Sequence, residues 1–317
     1  MQQIINRYFY PQKAFAVAVS ILPGLILGYI QANNFYFFAC LLSISSIMPY
    51  QVSFNKRRYS IMLFLFLYLS SVVGACLLKQ SPSIFWLVIL IISAILGFLE
   101  ANMDYLKKLD GWIFIGLLYG SYELYQYHSS ISYVDYAIVL VVGSIQVFIY
   151  SLILKSVDLP RIFILEFKWN ELIHYSKYIL YFITALLVFH GIKANQPQWY
   201  FWSGLSVLSL EVTNAKQKIK DRILSGIIGL ILGYITLQFI PTSLGLMVFS
   251  YMGIMLSLVA FKKYTHNFGV RCYFIVIVAG SQAFMMGTVR FTDIFIGGLV
   301  GLVMSYILGA FHKKLKT

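Results

Sequence analysis

Apolar segments follow one another through this chain, and nearly all of its basic residues fall in every second gap between them. A lipid bilayer imposes that order. Spans of about 17–25 mostly apolar residues cross it, and Lys and Arg collect in the loops on the cytoplasmic side. The pattern predicts spans near 13–31, 34–50, 59–79, 83–100, 111–127, 134–154, 176–192, 197–212, 221–240, 242–260, 270–287 and 291–311. All must be helices, because lipid leaves no water for an open backbone.

Of 24 Lys and Arg, only Lys79, Lys193 and Arg290 fall in the gaps of the other side. The remaining 21 share one face, including Lys56, Arg57 and Arg58, the set Lys216, Lys218, Lys220 and Arg222, and Lys313 and Lys314 near the C-terminus. That bias predicts both termini in the cytoplasm of a bacterial inner-membrane protein. It also absorbs the net charge of +13, so nucleic acid is not an expected partner. Charged residues are 11% of the chain, where a soluble domain carries roughly a quarter. The mean hydropathy is +0.80. No stretch between spans is long enough for a soluble domain. The first apolar run, Ala14 to Ile30, is long enough to span, and no cleavable signal peptide is expected. Cys40, Cys76 and Cys272 all lie within apolar segments and form no CxxC or pairing framework.

The two halves of the chain are alike. Ile30-Gln31-Ala32-Asn33 recurs as Ile192-Lys193-Ala194-Asn195, and Phe35-Tyr36-Phe37-Phe38 as Trp199-Tyr200-Phe201-Trp202. Ser45 matches Ser209, Lys56 matches Lys220, Arg58 matches Arg222 and Asp135 matches Asp293. The expected fold is an all-α polytopic membrane protein of about twelve transmembrane helices in two similar six-helix repeats, at 1–155 and 176–317, with a cytoplasmic linker at 156–175. Six is even, so both repeats enter the membrane in the same direction, as in transporters built from parallel repeats.

The stretch Trp199-Tyr200-Phe201-Trp202, then Lys220 and Arg222, then Gly226, Gly229 and Gly233, resembles the fusaric acid resistance family of aromatic acid exporters. So does Arg290-Phe291-Thr292-Asp293-Ile294-Phe295-Ile296-Gly297. The second half is closer to the family pattern than the first, which keeps Arg58 and Asp135 but lacks the glycine run. The resemblance implies export of small organic acids, often aromatic, and anion channels among distant plant relatives.

Catalysis finds no support: no nucleophile elbow, phosphate-binding loop, metal-spaced histidine pair or acidic pair is present. No enzyme, metal or cofactor is expected. Arg58 and Arg222 each open a predicted helix, and a guanidinium fork binds a carboxylate bidentately. With Lys220 they are candidates to receive an anion at the inner mouth; the alternative is that they only hold the loop inside. Trp199, Tyr200 and Trp202 can stack on an aromatic substrate or serve as an interfacial belt.

Acids inside a membrane are costly and usually face a cavity or a partner. Glu123 in the fifth span is the first proton-coupling candidate, followed by Glu211, Asp293 and Asp135. The two aspartates can instead cap helices, Glu211 can pair with Lys218 or Arg222, and Arg290 can pair with Asp293 one turn on. The function expected is secondary-active efflux of small organic anions, coupled to protons. The alternatives are an anion channel of the same fold and a membrane subunit of a biosynthetic or export system. Expected partners are the anion, protons, membrane lipid and a second copy of the chain.

Overall fold

A computed structural model describes residues 9–33, 35–47, 57–102, 109–127, 132–153, 171–192 and 197–316. Described residues are helical almost throughout, with no strand among them. The helices are α1 (Pro11–Gln31), α2 (Phe35–Ile47), α3 (Arg57–Gln80), α4 (Pro82–Asn102), α5 (Leu109–Phe114), α6 (Gly120–Tyr127), α7 (Tyr133–Ile153), α8 (Leu172–Ile192), α9 (Pro197–Val207), α10 (Val212–Phe239), α11 (Leu244–Ser257), α12 (Tyr264–Ala279) and α13 (Ala283–Lys316). A π-helical turn, Ile115–Tyr119, joins α5 to α6, and a 3-10 turn, Gly280–Gln282, joins α12 to α13.

Among the described residues, seven helical stretches are long and apolar enough to cross a membrane: Pro11–Gln31, Ser60–Gln80, Pro82–Asn102, Tyr133–Ile153, Leu172–Gly191, Val212–Phe239 and Tyr264–Lys314. Twelve full spans are expected from the sequence, and the shortfall has three sources. Helices α2 and α11 have 13 and 14 residues, about 20 Å of helix against a hydrocarbon core of about 30 Å. Helix α9 has 11 residues. The expected fifth span is interrupted by the π turn. The last stretch joins two expected spans.

Two helix boundaries differ from the sequence reading in ways that matter for the site. Helix α10 begins at Val212, not near 221, because the run from Val212 to Lys220 is rich in good helix formers. The backbone carbonyl of Glu211 receives Asn214 N and Ala215 N at 3.1 and 3.2 Å and starts this helix. Arg222 therefore lies inside α10 and does not open it. At the other boundary, the chain turns at Gly280, whose φ of 54° ends α12; a left-handed backbone favours glycine there. Helix α13 then runs unbroken through 290. Arg290 and Asp293 sit within it, so the predicted outer loop at Arg290 is absent and Asp293 caps no helix start.

The described helices divide into two compact units, each drawn from both halves of the chain. One comprises Met1–Tyr68, Ser129–Asp158 and Asp221–Phe291. In it α2 is buried along its whole length and packs on α1, α7 and α11. Phe37 stacks on Tyr251 at 3.9 Å between ring centres. The Gln146 side-chain amide of α7 lies 2.8 Å from Ser43 Oγ of α2 and 3.3 Å from the Ile21 carbonyl of α1. One amide thus ties three helices together where water cannot. Glycine brings α10 onto α12: a Cβ at Gly229 would lie 2.2 Å from the Gly269 carbonyl. Small residues of this kind let membrane helices approach closely.

The other unit comprises Leu69–His128, Leu159–Lys220 and Thr292–Thr317. Its core is aromatic: Phe85, Phe114, Tyr181, Phe182, Tyr200 and Phe201 are all fully buried. Helix α4 lies along α8, close enough that a Cβ at Gly97 would meet the Tyr175 carbonyl. Helix α9 is held from both sides. Tyr181 donates to the Phe201 carbonyl at 2.6 Å, Tyr200 to Ala185 at 3.0 Å, and Ser203 to Ile294 at 2.6 Å. The expected linker at 156–175 lies outside the described residues up to position 170.

Candidate functional site

The π turn is the local feature that builds the site in the second unit. A π turn shifts the backbone ladder by one residue and re-aims the side chains that follow; such turns recur at functional sites. Side-chain hydroxyls serve the shifted carbonyls. Ser71 of α3 donates to Gly116 at 2.8 Å, and Ser121 donates to Leu117. Tyr119 closes the turn. Its ring packs edge-on against Trp199 at 5.0 Å and Trp202 at 6.1 Å, and the two indoles stack at 5.7 Å. Its hydroxyl donates to the carboxylate of Glu123, one turn on in α6. An acid, a phenol and two indoles are thereby linked.

This arrangement brings together three residues singled out from the sequence, Glu123, Trp199 and Trp202, through one that was missed, Tyr119. Both indoles are half-buried, as a ligand-facing ring must be. Tyr200, expected to join them, is fully buried, and its hydroxyl is committed to Ala185. It positions α9. A single tyrosine in an aromatic-rich segment carries no signal in sequence, and nothing in Ile115–Tyr119 announces a π turn.

The other expected residues fall elsewhere. Lys220 is exposed on α10. Arg222, two residues on, is only 6% exposed, and its guanidinium lies 4.6 Å from the centre of the Phe268 ring of α12. Arg58 is the second residue of α3, and its side chain lies outside the described residues. Glu211 is exposed, and its carboxylate receives Asn214 Nδ2. Asp135 completes a capping box with Ser132: its Oδ2 accepts from Ser132 N at 2.9 Å, and Asp135 N donates to Ser132 Oγ at 3.3 Å. Asp135 also accepts from the Tyr36 hydroxyl of α2. Arg290 and Asp293 are both buried on α13, one turn apart.

One ionic group escaped the sequence reading. Glu100, at the end of α4 and 8% exposed, pairs with Lys177 and accepts from the Tyr178 hydroxyl at 2.8 Å, both on α8. His174, one turn earlier on α8, lies 3.3 Å from Glu171 and packs edge-on against His312 at 5.2 Å. The signal was present: Glu100 ends a predicted span and Lys177 begins one on the same face. Among the described residues, no group of three or more His, Cys, Asp or Glu could hold a metal.

Residues 179–304 match the family described as fusaric acid resistance protein-like. That segment holds Trp199, Trp202, Arg222, Arg290 and Asp293, but not Tyr119 or Glu123. No curated protein and no solved structure matches the chain.

Proposed function

We propose that this fusaric acid resistance protein-like chain is a secondary-active exporter of small organic anions, aromatic carboxylates foremost, driven by protons entering across the inner membrane. One observation carries the reading: Glu123 is hydrogen-bonded to Tyr119, and Tyr119 packs on Trp199 and Trp202. Half-buried indoles offer faces to an aromatic ring. A membrane-embedded carboxylate in contact with them can exchange a proton when the aromatic cargo arrives or leaves. Trp199 and Trp202 lie in the segment matched to the family described as fusaric acid resistance protein-like. The basic bias of one loop face supports cytoplasmic termini and concentrates anions where export begins. The internal likeness supports two parallel repeats, with α2 and α9 as their short helices. Short hydrophobic segments at corresponding positions of two repeats point to a transport path.

The test is reconstitution of the full chain in liposomes with an imposed pH gradient and labelled benzoate. Gradient-dependent accumulation that Glu123→Gln abolishes is the expected result. Downhill flux unaffected by the gradient makes the protein a channel. Wild-type-like coupling in Glu123→Gln removes Glu123 from the mechanism.

A further inference from the structure

Near the start of α8 and the end of α13, two histidines of the second unit meet, and the export site uses neither. His174 of α8 and His312 of α13 pack edge-on, with ring centres 5.2 Å apart. Nδ1 of His312 is buried and makes no hydrogen bond. His174 is 25% exposed, which gives bulk protons access to the pair. Glycine brings the end of α13 in close: a Cβ at Gly309, one turn before His312, would lie 3.0 Å from the Leu210 carbonyl. Among the described residues, the charged groups around the pair come from four elements. Just ahead of α8, Glu171 lies 3.3 Å from Nε2 of His174, and Lys177 follows one turn after His174. From α4, Glu100 is committed to Lys177 and to the Tyr178 hydroxyl. At the start of α10, Lys216 lies over the Tyr306 ring of α13, and the exposed Glu211 receives Asn214. Lys313 and Lys314 follow His312 on α13 itself.

Charging this pair while it stays packed is unfavourable. An imidazolium at His312 places a charged N–H at the buried Nδ1, where no acceptor meets it, and a buried charged donor left unpaired costs more than a neutral one. Glu171 can balance a charge on His174, but Glu100 is already engaged by Lys177. Charges on both rings would repel across touching edges. The packed form is therefore the one with a neutral His312. A histidine that is neutral when packed holds its contact above the pKa of the released ring, and the contact is lost as pH falls. A free imidazole titrates at about 6.5, so one such histidine makes release about tenfold easier at pH 5.5 than at pH 7.5.

We infer that His174 and His312 form a proton-released latch at the cytoplasmic end of the second unit, fastening the last turns of α13 to α8 when neutral and freeing them when charged. The basic bias of the loops supports the cytoplasmic placement. Histidine contacts that part on protonation are a common form of pH switch. That release speeds export rests on the export reading above; the latch itself does not. Organic acids that cross a membrane in neutral form give up their protons inside, so a latch opened by acid matches the moment at which export is needed.

The full chain in nanodiscs is followed by amide hydrogen exchange over residues 305–316, the end of α13, at pH 7.5 and 5.5, with rates corrected for the intrinsic effect of pH. Wild type should lose protection at least tenfold at the lower pH. His312→Phe keeps a ring that cannot be charged, and its protection should be nearly the same at both. His312→Lys is charged throughout and should be poorly protected at both. His312→Gln, neutral and polar, supplies the reading if the Phe variant fails to fold. Equal protection of wild type at the two pH values overturns the latch, and so does a wild-type loss in either neutral variant. Benzoate flux in liposomes is then measured with the gradient held constant while both pH values are lowered together. Flux should rise several-fold in wild type and not in His312→Phe; the same rise in both overturns control of export by the latch. Acid-sensitive protection without flux sinks the exporter and leaves the latch. Flux with acid-insensitive protection does the reverse.

Discussion

Helices α2 and α9 are alike in sequence and in plan, yet they are secured by different chemistry. Both are too short to cross a membrane, and both are packed into a compact unit. Helix α2 is held by side chains: Ser43 with Gln146, Tyr36 with Asp135, and Cys40 toward the Ile21 carbonyl. Every residue along it is buried, Phe35 and Phe38 included. Helix α9 has side-chain bonds as well, through Tyr181, Tyr200 and Ser203, but it adds close backbone approach that α2 lacks. A Cβ at Gly301 would come within 2.3 Å of the Gly204 carbonyl, and one at Gly297 within 2.2 Å of the Tyr200 carbonyl. Glycine contacts need no side chain, which leaves Trp199 and Trp202 half-buried and in contact with Tyr119. The likeness marks a shared plan, and the difference marks α9 as the helix with aromatic faces to offer a ligand.

The sharpest break in that comparison is Gly301→Val. The added side chain meets backbone, which cannot rotate away, so α9 and α13 must separate. Overpacking costs about 1–3 kcal/mol even where side chains can yield. We expect loss of monodisperse protein on size-exclusion chromatography. Gly111→Ala is the control, because a Cβ there meets nothing within 4 Å. Normal yield of Gly301→Val would mean that α9 is not closed by glycine.

These contacts also show what could be read in advance. The glycine run at Gly226, Gly229 and Gly233 stood out in the sequence as part of a resemblance; its packing role, with backbones brought into contact, comes from the tertiary neighbours. The all-helical membrane class was visible because lipid enforces composition. Helix ends were less visible: hydropathy finds where lipid lies, whereas the helix from Val212 continues through polar residues and the turn at Gly280 falls in an apolar run. The site was half legible. Glu123, Trp199 and Trp202 stood out as an intramembrane acid and an aromatic cluster. Tyr119 did not, since its importance comes from tertiary neighbours and not from spacing.

The next effect is functional. Trp202→Leu keeps an apolar side chain but removes the stacking partner of Trp199 and a neighbour of Tyr119. Liposome uptake of benzoate should show a KM raised several-fold, with acetate unaffected. Stacking contacts of this kind contribute about 0.5–1.5 kcal/mol beyond buried area. The counterpart change in α2, Phe38→Leu, should leave the KM for benzoate unchanged and act on stability alone. Equal KM shifts in the two variants would erase the distinction between α2 and α9.

Gln146→Leu probes the side-chain closure of α2. It removes the amide that meets Ser43 and the Ile21 carbonyl, while Ser43 keeps its bond to the Cys40 carbonyl at 2.9 Å. With that fallback in place the loss should be about 1–2 kcal/mol. A lowered thermal midpoint in detergent, with benzoate KM intact, is the expected outcome, and an unchanged midpoint would show that the amide does not secure α2.

The smallest effects come from the matched tyrosines. Tyr36 donates to the ionised carboxylate of Asp135, and Tyr200 donates to the Ala185 carbonyl. Tyr36→Phe removes a bond to a charged acceptor, worth about 1.5–3 kcal/mol, whereas Tyr200→Phe removes a neutral one, worth about 1 kcal/mol. Asp135 keeps its bonds from Ser132 N and Oγ, which places Tyr36→Phe at the lower end of its range. Ala185 lies within α8, where its carbonyl also accepts from the helix ladder, so Tyr200→Phe strands no acceptor. Thermal midpoints of the two variants should therefore fall in the order wild type, Tyr200→Phe, Tyr36→Phe. The reverse order would mean that α9 depends on side-chain bonding more than α2 does, and the contrast between the two short helices would have to be drawn the other way.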